Sequence, residues 1–319
     1  MSFVVVGRND NYGGDFLCRM QASIDVLLTL CEKHALNMEL VVVEWNPPED
    51  RLRLADALTW PDSLKYCRVR NIEVPEKIHR QFPKSERLPL FEYIGKNVGV
   101  RRARGKFVVV TNADILFSEE LIEFIAHGNL SPQCFYRATR YDVEGPVPLG
   151  LPVEARLAYC QQHIIRINGY LGSFDNRPSE RFAIQRVMSQ CVDYVIWRAR
   201  HFPHARPFTN ASGDFYMMHH SHWHPLRGYP QIVGADSHGF FHSDAFLMHG
   251  ALFYGLKQVR LGKRLRIYHQ EHERLRNPSL FSGQVESALR QVSRENTPVI
   301  FNDEGWGLGN CDLPERIIA

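Results

Sequence analysis

The chain has 319 residues, 38 Lys and Arg against 35 Asp and Glu, 15 His, 7 Cys and 44% hydrophobic residues. That apolar content over this length supports a full core and excludes a disordered tail, and a net charge of +3 gives no basic field for sequence-independent binding to nucleic acid. The odd, scattered cysteines lack any C-x-x-C pair, which argues against a disulfide framework and a zinc-thiolate site.

Phe3 to Val6 is a β-branched run that stops at the turn formers Gly7 to Asn11 and Gly13-Gly14. Phe16, Met20, Ile24, Leu27, Leu28 and Cys31 then recur at three and four, one stripe of an amphipathic helix. Glu39 to Glu44 reads as a second strand and Cys67 to Val74 as a third. A helix from about Phe91 to Ala103 leads to a fourth strand, Lys106 to Thr111, and Ser118-Glu119-Glu120 has the form of a helix cap with an acidic first turn. The alternation predicts an α/β fold with a mainly parallel sheet flanked by helices and a ligand outside the carboxyl ends of its strands. From about residue 129 the chain turns Pro-, Gly- and aromatic-rich, with helix or strand pieces expected near Glu154 to Cys160 and Phe182 to Trp197. This divides a first half, 1–128, from a second half, 129–319, that builds a variable pocket onto it within one fused domain. No apolar run approaches the roughly 20 residues that span a bilayer, and no basic-then-apolar leader opens the chain, so a cytoplasmic protein without a transmembrane segment is expected.

Asn112-Ala113-Asp114 follows the apolar run Phe107 to Val110, which places the Asp114 carboxylate at a strand's carboxyl end. A carboxylate there can hold a divalent cation that bridges phosphates, although Asp is also an ordinary turn residue. Arg101 and Arg104, three apart on one helix face, are candidates for phosphate contact.

The stretch from Asn97 to Asp114 resembles the segment of inverting family 2 glycosyltransferases that reads N-x-G-x-x-x-A-x-G, then an apolar strand and D-x-D. Asn112 stands where the first acid of D-x-D is expected. The resemblance implies a GT-A fold, a Rossmann-like nucleotide-diphospho-sugar transferase architecture. It also implies a donor site in which Asn97, Arg101, Arg104, Asn112, Ala113 and Asp114 face the sugar nucleotide. Val4 to Asn9 is similar to the first strand and loop of that family, which makes Gly7, Arg8 and Asn9 donor contacts, and Glu44 falls at the acid that meets the nucleoside.

In the second half, Ser212 to Trp223 followed by Leu226-Arg227-Gly228-Tyr229 resembles the acceptor-side segment, with Asp214, Trp223, Arg227 and Gly228 as substrate contacts. Ser243-Asp244 opens an apolar helix and looks like the element whose Asp is the catalytic base, with Asp236 in reserve. Asp244 equally fits a helix cap. His269 and His272, expected just after a strand Arg264 to Ile267, are candidate metal ligands beside Asp114. The cluster His219, His220, His222 and His224 is a weaker metal candidate, since neighbouring residues on a strand point to opposite faces. Phe301 to Leu308 reads as a lid over the donor or as a strap packed by Trp306.

The resulting expectation is an inverting hexosyltransferase that uses a nucleoside-diphosphate sugar, UDP-sugar favoured, and a hydroxyl acceptor on a glycan or other molecule. A divalent cation, Mn2+ or Mg2+, assists the departure. The alternatives are an inactive transferase-like carbohydrate-binding module and a sugar nucleotidyltransferase, the latter having only a thin glycine loop at residues 7 to 14.

Overall fold

The computed structural model describes residues 1–170, 172–176, 208–231, 243–273 and 300–319. The chain opens β1 (Ser2–Gly7), α1 (Phe16–Lys33), β2 (Met38–Trp45), α2 (Leu54–Ala57), β3 (Cys67–Val74), α3 (Glu76–His79), α4 (Glu92–Arg102) and β4 (Phe107–Thr111). These strands lie in the order β3-β2-β1-β4 and are all parallel, so the predicted alternation is present and its elements fall within a residue or two of their expected bounds.

Strand alternation explains why helices cover both faces. Phe3 and Val5 join the apolar cluster that contains Met20 and Leu27 of α1, whereas Val4 and Val6 join the cluster that contains Ile94 and Val98 of α4. Each such buried aliphatic side chain contributes about 1.5–3 kcal/mol relative to exposure. α4 lies so close to β1 that a Cβ at Gly95 or Gly99 would stand 2.7 Å from Val6 Cγ1 or 2.4 Å from Val4 Cγ1. The two glycines, four apart on one helix face, are what allow that approach.

After β4 come β5 (Ile115–Phe117), α5 (Glu119–His127), β6 (Cys134–Arg137), β7 (Thr139–Val143), α6 (Val153–Gln162), β8 (Ile164–Gly169), β9 (Gly172–Asp175), β10 (Phe215–His219), β11 (Lys257–Arg260), β12 (Arg266–Gln270) and β13 (Glu315–Ile317). Ser118 caps α5, its Oγ accepting from Leu121 N at 3.3 Å, as its sequence implies. β10 pairs antiparallel with β4, β6 and β11 extend that edge, and β13 closes the other, giving the sheet order β11-β6-β10-β4-β1-β2-β3-β13. A second sheet has the order β5-β12-β7-β8-β9. The chain thus leaves the first sheet at Thr111 and enters the second at Ile115, and Asn112, Ala113 and Asp114 make the junction.

The protein is therefore mixed α/β, with strands from both sequence halves in one sheet. Among the described residues no helix is long and apolar enough to cross a membrane. The piece expected near Phe182 to Trp197 lies outside the described residues.

Candidate active site

Asp114 is nearly buried where the two sheets part. β5 begins just after it and runs antiparallel to β12, with His269 opposite Ile115. That pairing brings the imidazoles to the carboxylate: Asp114 Oδ2 is 3.2 Å from His272 Nε2 and 3.7 Å from His269 Nε2. His269 lies inside β12, which runs two to three residues later than the strand expected from sequence, and only His272 lies beyond it. On the far side of His272 a Cβ at Gly13, where φ is +67°, would meet its Nδ1 at 2.3 Å, so only glycine leaves room for that ring.

Arg19, in the first turn of α1, completes the surroundings of Asp114. Its buried Nε lies 3.8 Å from Asp114 Oδ2, while its NH2 donates to Tyr12 O at 2.7 Å. Burial opposes the charge on Asp114, but His269, His272 and Arg19 together outweigh it and hold the carboxyl well below the usual carboxylate range. The ligand atoms of Asp114, His269 and His272 all lie within 4.8 Å of one another. A first-row cation with bonds of about 2.1 Å needs its ligand atoms roughly 3–4 Å apart, so this set fits one with small side-chain movements.

Asn112 does not join that set. Its Oδ1 accepts from the buried Lys96 Nζ at 2.6 Å, and its Nδ2 donates to Asp214 Oδ1 at 2.7 Å. An acid at 112 would face the Asp214 carboxylate, which gives a local reason for the amide. Asp214, expected to touch substrate, spends its other oxygen on Arg140 NH1 at 2.6 Å. Lys96 also donates to Gly213 O at 2.9 Å and to Glu92. Asp244 adjoins this network on the opposite side, where it accepts from Ser212 Oγ and, at 2.8 Å, from Ala245 N at the start of its own helix, Ser243–Phe253. An added Cβ at Gly213 would stand 3.7 Å from both Asp244 Oδ2 and Lys96 Nζ. Burial pushes the Tyr93 phenol well up, and the charge of nearby Asp244 adds to it.

A third group lines the carboxyl ends of β1 and β2. Gly7 packs under Leu54 and Phe16, Arg8 Nε donates to Asn46 O at 2.6 Å, and Asn9 Nδ2 donates to Leu52 O at 2.9 Å. Glu44 is fully buried and accepts from Leu54 N at 2.9 Å; burial pushes its carboxyl up to about 7.

The helix residues lie elsewhere. Because α4 leads into β4, its last turn returns the chain to the amino edge of the sheet, opposite Asp114. There Arg104 N donates to the Glu39 carboxylate and Gly105 N to Ser2 Oγ, both at strand starts. Arg101 donates to the carbonyls of Glu304 and Trp306, and its guanidinium lies over the Trp306 ring. Asn97, fully buried, clamps Tyr229 by accepting from its N and donating to its O, both at 2.8 Å. Trp223 is packed between Tyr216 and Tyr229, Gly228 sits against Asn97, and Arg227 NH1 donates to Asn302 O at 2.9 Å. These residues form a structural seam in which Asn97 and Arg101 bond to backbone, while the Arg104 side chain is exposed beside Glu315. Buried Trp306 makes the segment a strap.

Asp236 lies outside the described residues. His219 and His222 are tied to Ser221 and to Pro132 O, and His224 packs on Trp306. Among the described residues, the groups that could hold a metal are Asp114-His269-His272 and Asp142-His269-Glu271. Sequence reasoning missed Arg19, Lys96, Arg140 and Asp142. An Arg inside the apolar stripe of α1 was the available signal for Arg19 alone.

No family model and no curated protein matches the chain. Among solved structures it is similar to the crystal structure of S. aureus TarS at 12% identity and a TM-score of 0.42, over 96% of this chain and 41% of that one. The chain therefore spans about two fifths of that structure's length, and so distant a likeness has no bearing on activity.

Proposed function

We propose that the chain is an inverting sugar transferase of the GT-A kind. It would move a hexose from a nucleoside-diphosphate sugar, UDP favoured, to a hydroxyl of a glycan or other acceptor. The observation that carries this reading is the convergence of Asp114, His269 and His272 at the junction after β4, across one polar network from the Asp244 carboxylate. On this reading the 1–128 half holds the donor, with Gly7, Arg8, Asn9 and Glu44 at the nucleoside and Ala113 and Asp114 at the diphosphate. The 129–319 half supplies the acceptor side.

Asp114, His269 and His272 would hold a divalent cation, which would supply positive charge against the departing diphosphate. Two imidazoles and one carboxylate suit Mn2+ better than Mg2+, which prefers oxygen ligands. Asp244 takes the acceptor's proton as the hydroxyl oxygen bonds to the anomeric carbon and the bond from that carbon to the diphosphate breaks. The Ser212 hydroxyl and the Ala245 amide fix the direction of that carboxylate. Lys96 holds Asn112 and the 213 carbonyl, so the turn under Asp244 and the junction beside Asp114 share one anchor.

The test is release of nucleoside diphosphate from UDP-, GDP- and dTDP-hexoses with Mn2+, Mg2+ or chelator. Release from one donor that stops with chelator and in Asp244→Asn is the expected result. Failure to bind any of these nucleotides overturns the reading.

A further inference from the structure

The cation set explains Asp114, His269 and His272, but not the charges buried behind them. His269 on β12 is in parallel register with Asp142 on β7, and Asp142 is opposite Arg166 on β8. The imidazole therefore has a carboxylate on each side: Nε2 faces Asp114 Oδ2 at 3.7 Å, and Nδ1 faces Asp142 Oδ1 at 3.5 Å. Asp142 is fully buried, with Arg140 Nε at 2.8 Å, Arg166 NH1 at 3.0 Å and Asn168 Nδ2 at 3.0 Å.

Asp142, His269 and Glu271 also bring ligand atoms within 4.8 Å of one another. Two guanidiniums already neutralise Asp142, and Arg166 stands 3.8 Å from Glu271 as well, so a second cation would enter beside fixed positive charge. That argues for support of the first set over a second metal site. A ligating imidazole needs its other nitrogen protonated and held, and a buried carboxylate does both.

We propose that Asp142 is a positioning residue that keeps His269 in the tautomer with hydrogen on Nδ1 and the lone pair of Nε2 turned to the Asp114 side. Arg140 extends the effect, because it bonds Asp142 and Asp214 together and Asp214 holds Asn112. The metal consequence rests on the cation reading above, whereas the tautomer does not.

Two measurements separate them. Long-range nitrogen-15 spectra of the metal-free protein at alkaline pH, with the His269 signals assigned by comparison with His269→Gln, are expected to show Nδ1 protonated and Nε2 bare. The opposite tautomer in the wild type overturns the proposal, whether or not Asp142→Asn folds. Calorimetric titration with Mn2+ is expected to show binding about 10- to 100-fold weaker in Asp142→Asn than in wild type. Equal affinity in a folded variant also overturns it. If the wild type binds no Mn2+, the cation reading fails and the tautomer alone decides the role of Asp142.

Discussion

The end of α4 and the end of β4 belong to one sequence motif, yet they do opposite things. At α4 the amide of Asn97 and the guanidinium of Arg101 are satisfied by backbone of the 227–229 turn and the 300–311 strap. At β4 the Asp114 carboxylate gathers two imidazoles and a buried guanidinium that satisfy only its charge. Polar groups spent on the backbone hold a fold together, whereas charges converging on one carboxylate at a strand's carboxyl end are arranged for something else. Substitutions at the two ends should separate function from stability.

The largest effects belong to the β4 side. Asp114→Asn is expected to abolish Mn2+ binding and turnover together, as read by calorimetry and nucleoside diphosphate release, and also to lower the unfolding midpoint, because it leaves the buried Arg19 without its carboxylate. Asp244→Asn should cost about 10²- to 10⁴-fold in turnover while leaving nucleotide affinity near normal. If either variant lost stability and kept turnover, the two ends would not differ in kind.

The next effect is on the other side. Asn97→Ala removes two buried hydrogen bonds and leaves the Tyr229 amide without its partner, while the Tyr229 carbonyl keeps the Asn302 amide, which should cost about 1–3 kcal/mol in urea unfolding. Nucleotide affinity of the folded variant should match wild type. Reduced affinity at unchanged stability would return Asn97 to the donor site.

How much of this was readable depends on sequence distance. β1 to β4 and α1 announce themselves through periodicity, and Asp114 through its place after an apolar strand, because each signal lies within about ten residues. The direction of α4 was readable too, since a helix that feeds a strand must end at that strand's amino edge, and this rule places Arg104 away from the cleft. The partners of Asp114 were half readable: His269 and His272 by residue type, but not the strand they ride on. Asp142 was not readable. Its place beside His269 comes from the register of β7 with β12, strands joined by more than 120 residues of intervening chain, and no local pattern reports such a pairing. Lys96 was half readable, since Glu92 stands four residues earlier on α4 as a local helix pair, but its contact with Asn112 forms only when the loop after β4 folds back to α4.

Glu44 sharpens the comparison through pH. Folded, its carboxyl keeps a proton up to about 7, against an ordinary value of 4.5, because burial disfavours the charge. The native state therefore binds the extra proton, so its stabilising share is complete below 4.5 and is lost as pH rises through about 7. Glu44→Gln stays neutral, and its stability relative to wild type should grow across that window by about 3 kcal/mol. Denaturation midpoints at several pH values check it, and parallel curves for the two proteins would show that Glu44 is ionised in the fold.

The smallest expected effect concerns Arg104. Its side chain is 67% exposed and its closest carboxylate, Glu315 Oε1, is 3.6 Å away, a geometry worth at most about 0.5 kcal/mol in water. Its place at the amino edge of β1 and β2 denies it a phosphate bound beside Asp114. Arg104→Ala should therefore leave both the unfolding midpoint and the donor KM unchanged, whereas Arg19→Lys, which keeps charge at the Asp114 side but loses the planar fork, should weaken Mn2+ binding. A rise in donor KM confined to Arg104→Ala would mean that donor reaches the amino edge of the sheet, and the contrast between the two ends of the motif would fail at its simplest point.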